Sequence, residues 1–206
     1  MIILTEWSPG METLTEQTEN GKVLYLEGPM IMTEQKNRNG RIYPKGMMEK
    51  SVEAYQRDYI SERRAIGELN HPPRPFANPA EAAIIIESLT WHGNDVIGKA
   101  RVLNNPFGQQ IKSLVEANFK MGTSTRGLGN VRERAGSKYV EGYMLNAIDA
   151  VDMPSGQNCY VNAVNESTEW IQESGIWVEK VNQEKALQLF QEKFGQLLED
   201  IKKGRK

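Results

Sequence analysis

The stretch "AAIIIESLTWHGNDVIGKARVL", Ala82 to Leu103, decides the fold class. An apolar run from Ala82 to Ile86 leads to a polar group, His92-Gly93-Asn94-Asp95. Beyond it apolar or small residues alternate at Val96, Gly98, Ala100 and Val102. An apolar strand, a polar turn and then an alternating strand are the mark of a β-hairpin. Upstream, "KVLYLEGPMIMTE" (22–34) is rich in large apolar residues and reads as a strand broken or bulged at Gly28-Pro29. Downstream, "KYVEGYMLNAIDAV" (138–151) is also strand-like. Two helices flank these segments. In "PKGMMEKSVEAYQRDYISE" (44–62), Pro44 suits the first helical position, and Met48, Val52, Tyr55 and Tyr59 recur at helical spacing. In "NNPFGQQIKSLVEANFK" (104–120), an asparagine cap and Pro106 precede Phe107, Ile111, Leu114 and Val115 on one face. The expectation is β-rich packing with flanking helices.

Composition narrows the class. The chain has 206 residues, 25 Lys+Arg against 27 Asp+Glu, and a formal charge of −2, so no bulk electrostatic argument favours nucleic acid or an anionic membrane. One cysteine, Cys159, excludes an internal disulfide framework and suits a reducing compartment. No apolar run reaches transmembrane length, and "MIILTEWSPG" lacks the basic start and cleavage site of a signal peptide. Two histidines and one cysteine without close spacing give no metal-ligand cluster, and no metal or organic cofactor is expected.

Three residue types stand where acyl-transfer chemistry could use them: His71 in "GELNHPPRP", Ser124 in "GTSTRG" and Asp149 in "NAIDAV". A hydroxyl is too weakly acidic to attack a carbonyl unaided. An imidazole can take its proton near neutrality, and a carboxylate fixes the imidazole tautomer and steadies the imidazolium. Such triads are spatial, so separation along the chain neither supports nor excludes one. The glycine-rich "MGTSTRGLG" (121–129) matches neither the phosphate-loop nor the dinucleotide pattern and follows a helix rather than opening one. It reads either as a plain turn or bulge, or as a strand presenting Ser124 beside backbone N–H groups at Arg126-Gly127 that could hold an oxyanion.

The ordered set "NRNGRIYP", "GELNHPP", "AAIIIE", "GKARV", "GTSTRGLG" and "IDAVDMPS" resembles the prohead core proteases of tailed bacteriophages, over about Val23 to Ser155. That resemblance implies an α+β fold: an antiparallel β-barrel core ringed by helices, related to the herpesvirus capsid-maturation protease. It implies a serine endopeptidase with His71 as base, Ser124 as nucleophile and Asp149 as third member, in preference to Asp152 or His92. Arg126 and Gly127 resemble the oxyanion loop. It further implies capsid and scaffold proteins as substrates, a homo-oligomer, no nucleic-acid or membrane partner, and action in the prohead interior within the host cytoplasm. Relatives tend to cut after glutamate with an aliphatic residue two positions upstream and to process themselves. Glu6, Glu16, Glu173 and Glu199 are then candidate self-cleavage points, while Glu87, in a strand, should be protected.

The expected organisation is a loosely held N-terminal arm (1–21), a protease domain (22–162), a polar linker (163–179) and a C-terminal amphipathic helix (180–206). Leu187, Phe190, Phe194, Leu197, Leu198 and Ile201 form the apolar stripe of that helix, which cleavage at Glu173 would shed. The four tryptophans, Trp7, Trp91, Trp170 and Trp177, read as packing residues. In "NRNGRIYP" the arginines Arg38 and Arg41 read as loop braces. Two other classes fit the residues: a non-catalytic capsid-assembly or scaffold component with the same fold, and a hydrolase of small esters. Lack of a G-x-S-x-G elbow argues against the second.

Overall fold

The computed structural model describes residues 1–8, 12–18, 21–37, 39–151, 168–173 and 176–181. The hairpin at Ala82 is present as β6 (Ala82–His92) and β7 (Asp95–Val102), joined at Gly93-Asn94. Along β7 the burial alternates, with Val96, Gly98 and Ala100 turned inward. Beside β7 runs β3 (Gly21–Met32), whose register slips between Pro29 and Ile31, where Gly28-Pro29 implied a bulge. With β2 (Glu12–Thr18) and β5 (Ile66–Glu68) these strands form a five-stranded sheet ordered β2-β3-β7-β6-β5.

The second sheet is ordered β1-β8-β9-β4, from β1 (Ile2–Ser8), β8 (Gly122–Arg134), β9 (Ser137–Val151) and β4 (Arg41–Ile42). Helix α1 (Lys45–Tyr55) packs on β9, and α2 (Pro106–Glu116) packs on β6 and β7. Asn105 caps α2 by accepting from the Gly108 N–H at 2.9 Å. Pro44 stands one place earlier than expected, at the N-cap of α1. Met48, Val52 and Tyr55 turn inward, and a π-helical turn, Gln56–Ile60, extends the helix. Leu26, Ile84, Ile86, Val96, Ala100, Ile111 and Ile148 lie in one continuous apolar core between the elements. Arg41 is buried in β4; Arg38 lies outside the described residues.

Three expectations need correction. The sheets do not close into a barrel: β5 meets β9 through a single parallel bridge, Leu69 to Ala150, and the Asn70 N–H to Ala150 carbonyl bond of 2.8 Å. One rung does not make a ladder, so these two sheets stay separate. The N-terminal residues are not a loose arm. β1 pairs along β8, with Leu4 opposite Gly127, and β2 pairs along β3. Leu4 is fully buried, and burying a leucine is worth about 1.5–3 kcal/mol. β1 finds its partner 123 positions away (127 − 4), so no local turn signal marks the pairing. The stretch read as a linker contains β10 (Thr168–Glu173) and β11 (Ile176–Val181), an antiparallel pair that sets Ile171 across from Val178. Residues 182–206, which carry the expected C-terminal helix, lie outside the described residues.

Candidate active site

The site forms where β5 runs up against β9. Gly67 makes that approach possible, since a Cβ there would sit 1.9 Å from the backbone oxygen of Ile148. The chain then leaves β5 through Asn70, which takes φ +70°, a left-handed conformation that asparagine tolerates better than most residues. The next residue is His71, held extended ahead of Pro72-Pro73. The short segment 67–70 is therefore stitched to the end of β9, and His71 arrives over Asp149.

Asp149 is fully buried and fully engaged. Its Oδ1 accepts from the Glu68 backbone N–H (2.9 Å) and from Arg126 Nη2 (2.9 Å). Its Oδ2 accepts from Arg126 Nε (2.9 Å) and meets His71 Nδ1 at 2.9 Å. A carboxylate gripped by a bidentate guanidinium and a backbone N–H offers Nδ1 only acceptor capacity. The imidazole proton therefore sits on Nδ1, and Nε2 is left as the lone-pair nitrogen. Nε2 is buried and has no hydrogen-bond partner among the described residues.

Ser124 stands opposite Asp149 in the β8–β9 ladder. Opposed residues of an antiparallel pair share a face, with Cβ atoms about 4.5–5.5 Å apart. Residues two apart along a strand also share a face, so Ser124 and Arg126 project to the side where Asp149 and His71 lie. Ser124 and Asp149 thus share one face of the β8–β9 ladder and His71 is bonded to Asp149, but no hydrogen bond joins His71 Nε2 to Ser124. From Gly122 onward the glycine-rich stretch is strand. Ser124 is only 1% exposed. A cavity of about 260 Å³ opens beside His71, walled also by Glu68, Leu69, Asn70, Pro72, Glu81 and Phe107.

Arg126 and Gly127 occupy β8 between β1 and β9, not a free loop. The Arg126 side chain turns under Asp149, so its charge is spent inside the protein. Gly127 answers to packing: a Cβ there would meet the Met144 carbonyl oxygen at 2.3 Å and the Tyr143 ring at 2.5 Å. The β9 ladder is interrupted at this step, where Arg126 faces Ala147 and Gly127 faces Leu145, leaving Asn146 unpaired in the register. The Leu145 N–H is taken up by buried Ser51 Oγ of α1 at 2.9 Å.

His92 is exposed at the hairpin tip, opposite Asp95 and away from the site. Asp152 lies outside the described residues. Of the cleavage candidates, Glu6 is in β1 across from Thr125, Glu16 is in β2 and paired with Lys99, and Glu173 ends β10. Glu199 lies outside the described residues. Glu87 is in β6, as expected, and its side chain meets Arg101 at 2.7 Å. Among the described residues no cluster of histidine, cysteine and acidic side chains could hold a metal, and no helix is long and apolar enough to cross a membrane.

The residue that sequence reasoning missed is Glu68. It is 2% exposed, and its Oε2 accepts from Arg126 Nη2 at 3.1 Å. "GELNHPP" alone carries no clear signal for it, since a strand glutamate such as Glu87 faces solvent; only the fold sets Glu68 against Arg126.

Comparison with known proteins identifies the family. A family profile described as prohead core protein serine protease matches residues 6–169. The prohead core protein protease of Enterobacteria phage T4 is 42% identical over 143 residues, covering 67% of this chain and 68% of the relative. The solved capsid assembly protease of bacteriophage T4 superposes with a TM-score of 0.70 at 38% identity, covering 74% of this chain and 98% of that one. The chain belongs to the prohead core protein serine proteases.

Proposed function

We propose that the chain is a serine endopeptidase in which Ser124 is the nucleophile, His71 the general base and Asp149 the orienting carboxylate. It would cut capsid and scaffold proteins, and itself, inside the immature head, after glutamate. The observation that carries this reading is the 2.9 Å bond from His71 Nδ1 to Asp149 Oδ2, with Ser124 across the ladder from the same aspartate. Nε2 takes the Ser124 proton as Oγ attacks the scissile carbonyl, and the imidazolium is held against Asp149. The same proton then goes to the leaving amine, and a water deprotonated by Nε2 releases the acyl group. Oxyanion stabilisation is assigned to backbone N–H groups at Arg126–Gly127, where the bulge at Asn146 interrupts the ladder. The Arg126 guanidinium takes no part in it.

The burial of Ser124 supports a closed site that opens to admit a peptide. Extended substrates bind proteases as unpaired strands, so cleavage at Glu6, Glu16 or Glu173 requires each strand to leave its partner. Glu173, at a strand end in a two-stranded sheet, is the easiest of these to release. The test is intact-mass analysis of wild-type protein and Ser124→Ala, each incubated with a capsid or scaffold protein. Wild type should give glutamate-terminated fragments, including a chain truncated at residue 173, and Ser124→Ala should give none. Equal cleavage by both proteins overturns the assignment.

A further inference from the structure

Arg126 has five N–H donors, and each finds an acceptor. Nε and one Nη2 hydrogen take the two Asp149 oxygens, at 2.9 Å each, and the other Nη2 hydrogen takes Glu68 Oε2 at 3.1 Å. Nη1 bonds the backbone carbonyls of Arg74 (2.9 Å) and Phe76 (3.3 Å). Glu68 is equally occupied. Its Oε1 accepts from Arg74 Nη2 at 2.7 Å and from the Asn78 N–H, while its own N–H bonds Asp149. Arg74 reaches on to Glu81. The loop that carries His71 is thus fastened to the carboxylate that orients it, through two buried side chains that do not reach the reacting serine.

We propose that Glu68 and Arg126 are positioning residues: a buried acid–guanidinium clamp that locks loop 71–78 onto Asp149 and so sets the His71 imidazole. This rests on the triad reading above. The clamp explains why β8 and β5 each bury a charged side chain beside the nucleophile in place of an apolar one, which would have packed there more cheaply. It also makes two effects separable. The charge of Glu68 offsets that of Arg126, so it sets how much of the Asp149 charge is left for His71. The length of Glu68 sets where the loop sits. The other charged or titratable groups around His71 are Arg74 and Glu81 on its own loop side, with Tyr55 of α1 beneath Asp149.

The experiment measures how fast a fluorophosphonate probe labels Ser124, read by intact mass across pH, for wild type, Glu68→Gln and Glu68→Asp. Glu68→Gln leaves Arg126 over-positive, so His71 holds its proton less well. The labelling rate should drop about 10- to 100-fold, with the acid limb of the profile moved to lower pH. Glu68→Asp restores the charge on an arm one methylene shorter, so it should restore the acid limb while labelling stays slow. A folded Glu68→Gln with wild-type rate and wild-type limb overturns the clamp. If Glu68→Gln does not fold, Glu68→Asp decides alone: a slow rate with an unmoved limb supports the clamp, and a wild-type rate overturns it. A wild type that the probe does not label at Ser124 overturns the triad itself, and the clamp with it, whereas the other failures leave the triad standing.

Discussion

Two long hairpins sit side by side in this molecule and bury different chemistry. The β6–β7 hairpin buries Ile84, Ile86, Val96 and Ala100. The β8–β9 hairpin buries Thr123, Ser124, Thr125, Arg126, Asn146 and Asp149 in a comparable environment. In the first, burial itself is the stabilising term, and any apolar residue of similar volume would serve. In the second, each buried polar group costs free energy unless its partner is in place, so the stretch is coherent only as a set. The lesson is that the second hairpin gives up stability to hold a carboxylate and a hydroxyl at fixed places.

Substitutions can break this contrast or sharpen it. Arg126→Met removes one member of the buried set: it strips the guanidinium from Asp149 and leaves Glu68 with Arg74 as its cation. It should lower unfolding free energy by about 3–5 kcal/mol in urea titration. Ile84→Val in the apolar hairpin should cost only about 0.5–1.5 kcal/mol by the same measurement. Similar losses for the two would erase the distinction. Gly67→Ala tests the junction between the sheets. With backbone oxygen in the way the neighbour cannot yield, so about 1–3 kcal/mol should be lost. Labelling of Ser124 should fall as well, because His71 rides on that segment.

A smaller effect concerns pH. Tyr55 of α1 is buried, and burial, reinforced by the charge of Asp149, pushes its phenol well above the ordinary value of about 10. Above that value the unfolded chain releases a proton that the folded protein keeps, so stability must fall as pH rises. Melting temperature should drop above about pH 10 in wild type and drop less in Tyr55→Phe. The smallest change expected is at the surface, where Lys99→Ala breaks the pair with Glu16 and should cost less than about 1 kcal/mol.

How much of this could be read from residues alone follows the same division. The β6–β7 hairpin was legible because its period, turn and partner all lie within 22 residues of chain (82–103). Helix α2 was legible from its asparagine cap and apolar face. His71, Ser124 and Asp149 stood out through residue chemistry and family resemblance, but their convergence depends on Gly67 and on the β8–β9 register, which no local pattern encodes. Arg126 reads from sequence only as part of an oxyanion loop, because nothing along the chain shows that its side-chain partners are Asp149 and Glu68, the latter 58 positions earlier. β1 escaped notice for the same reason: its partner lies across the whole domain. Period reveals what a segment buries, but not the residues it meets.

The central claim is that one imidazole joins the hydroxyl of Ser124 to the carboxylate of Asp149, so the three act as a unit. The direct measurement is the rate of peptide cleavage in His71→Ala, in Asp149→Asn and in the double variant. Each single change should reduce kcat severely, by up to about 10⁴-fold for Asp149→Asn, and the double variant should be no slower than His71→Ala alone. Losses that multiply, with the double variant slower than either single change by the product of the two effects, would contradict the account.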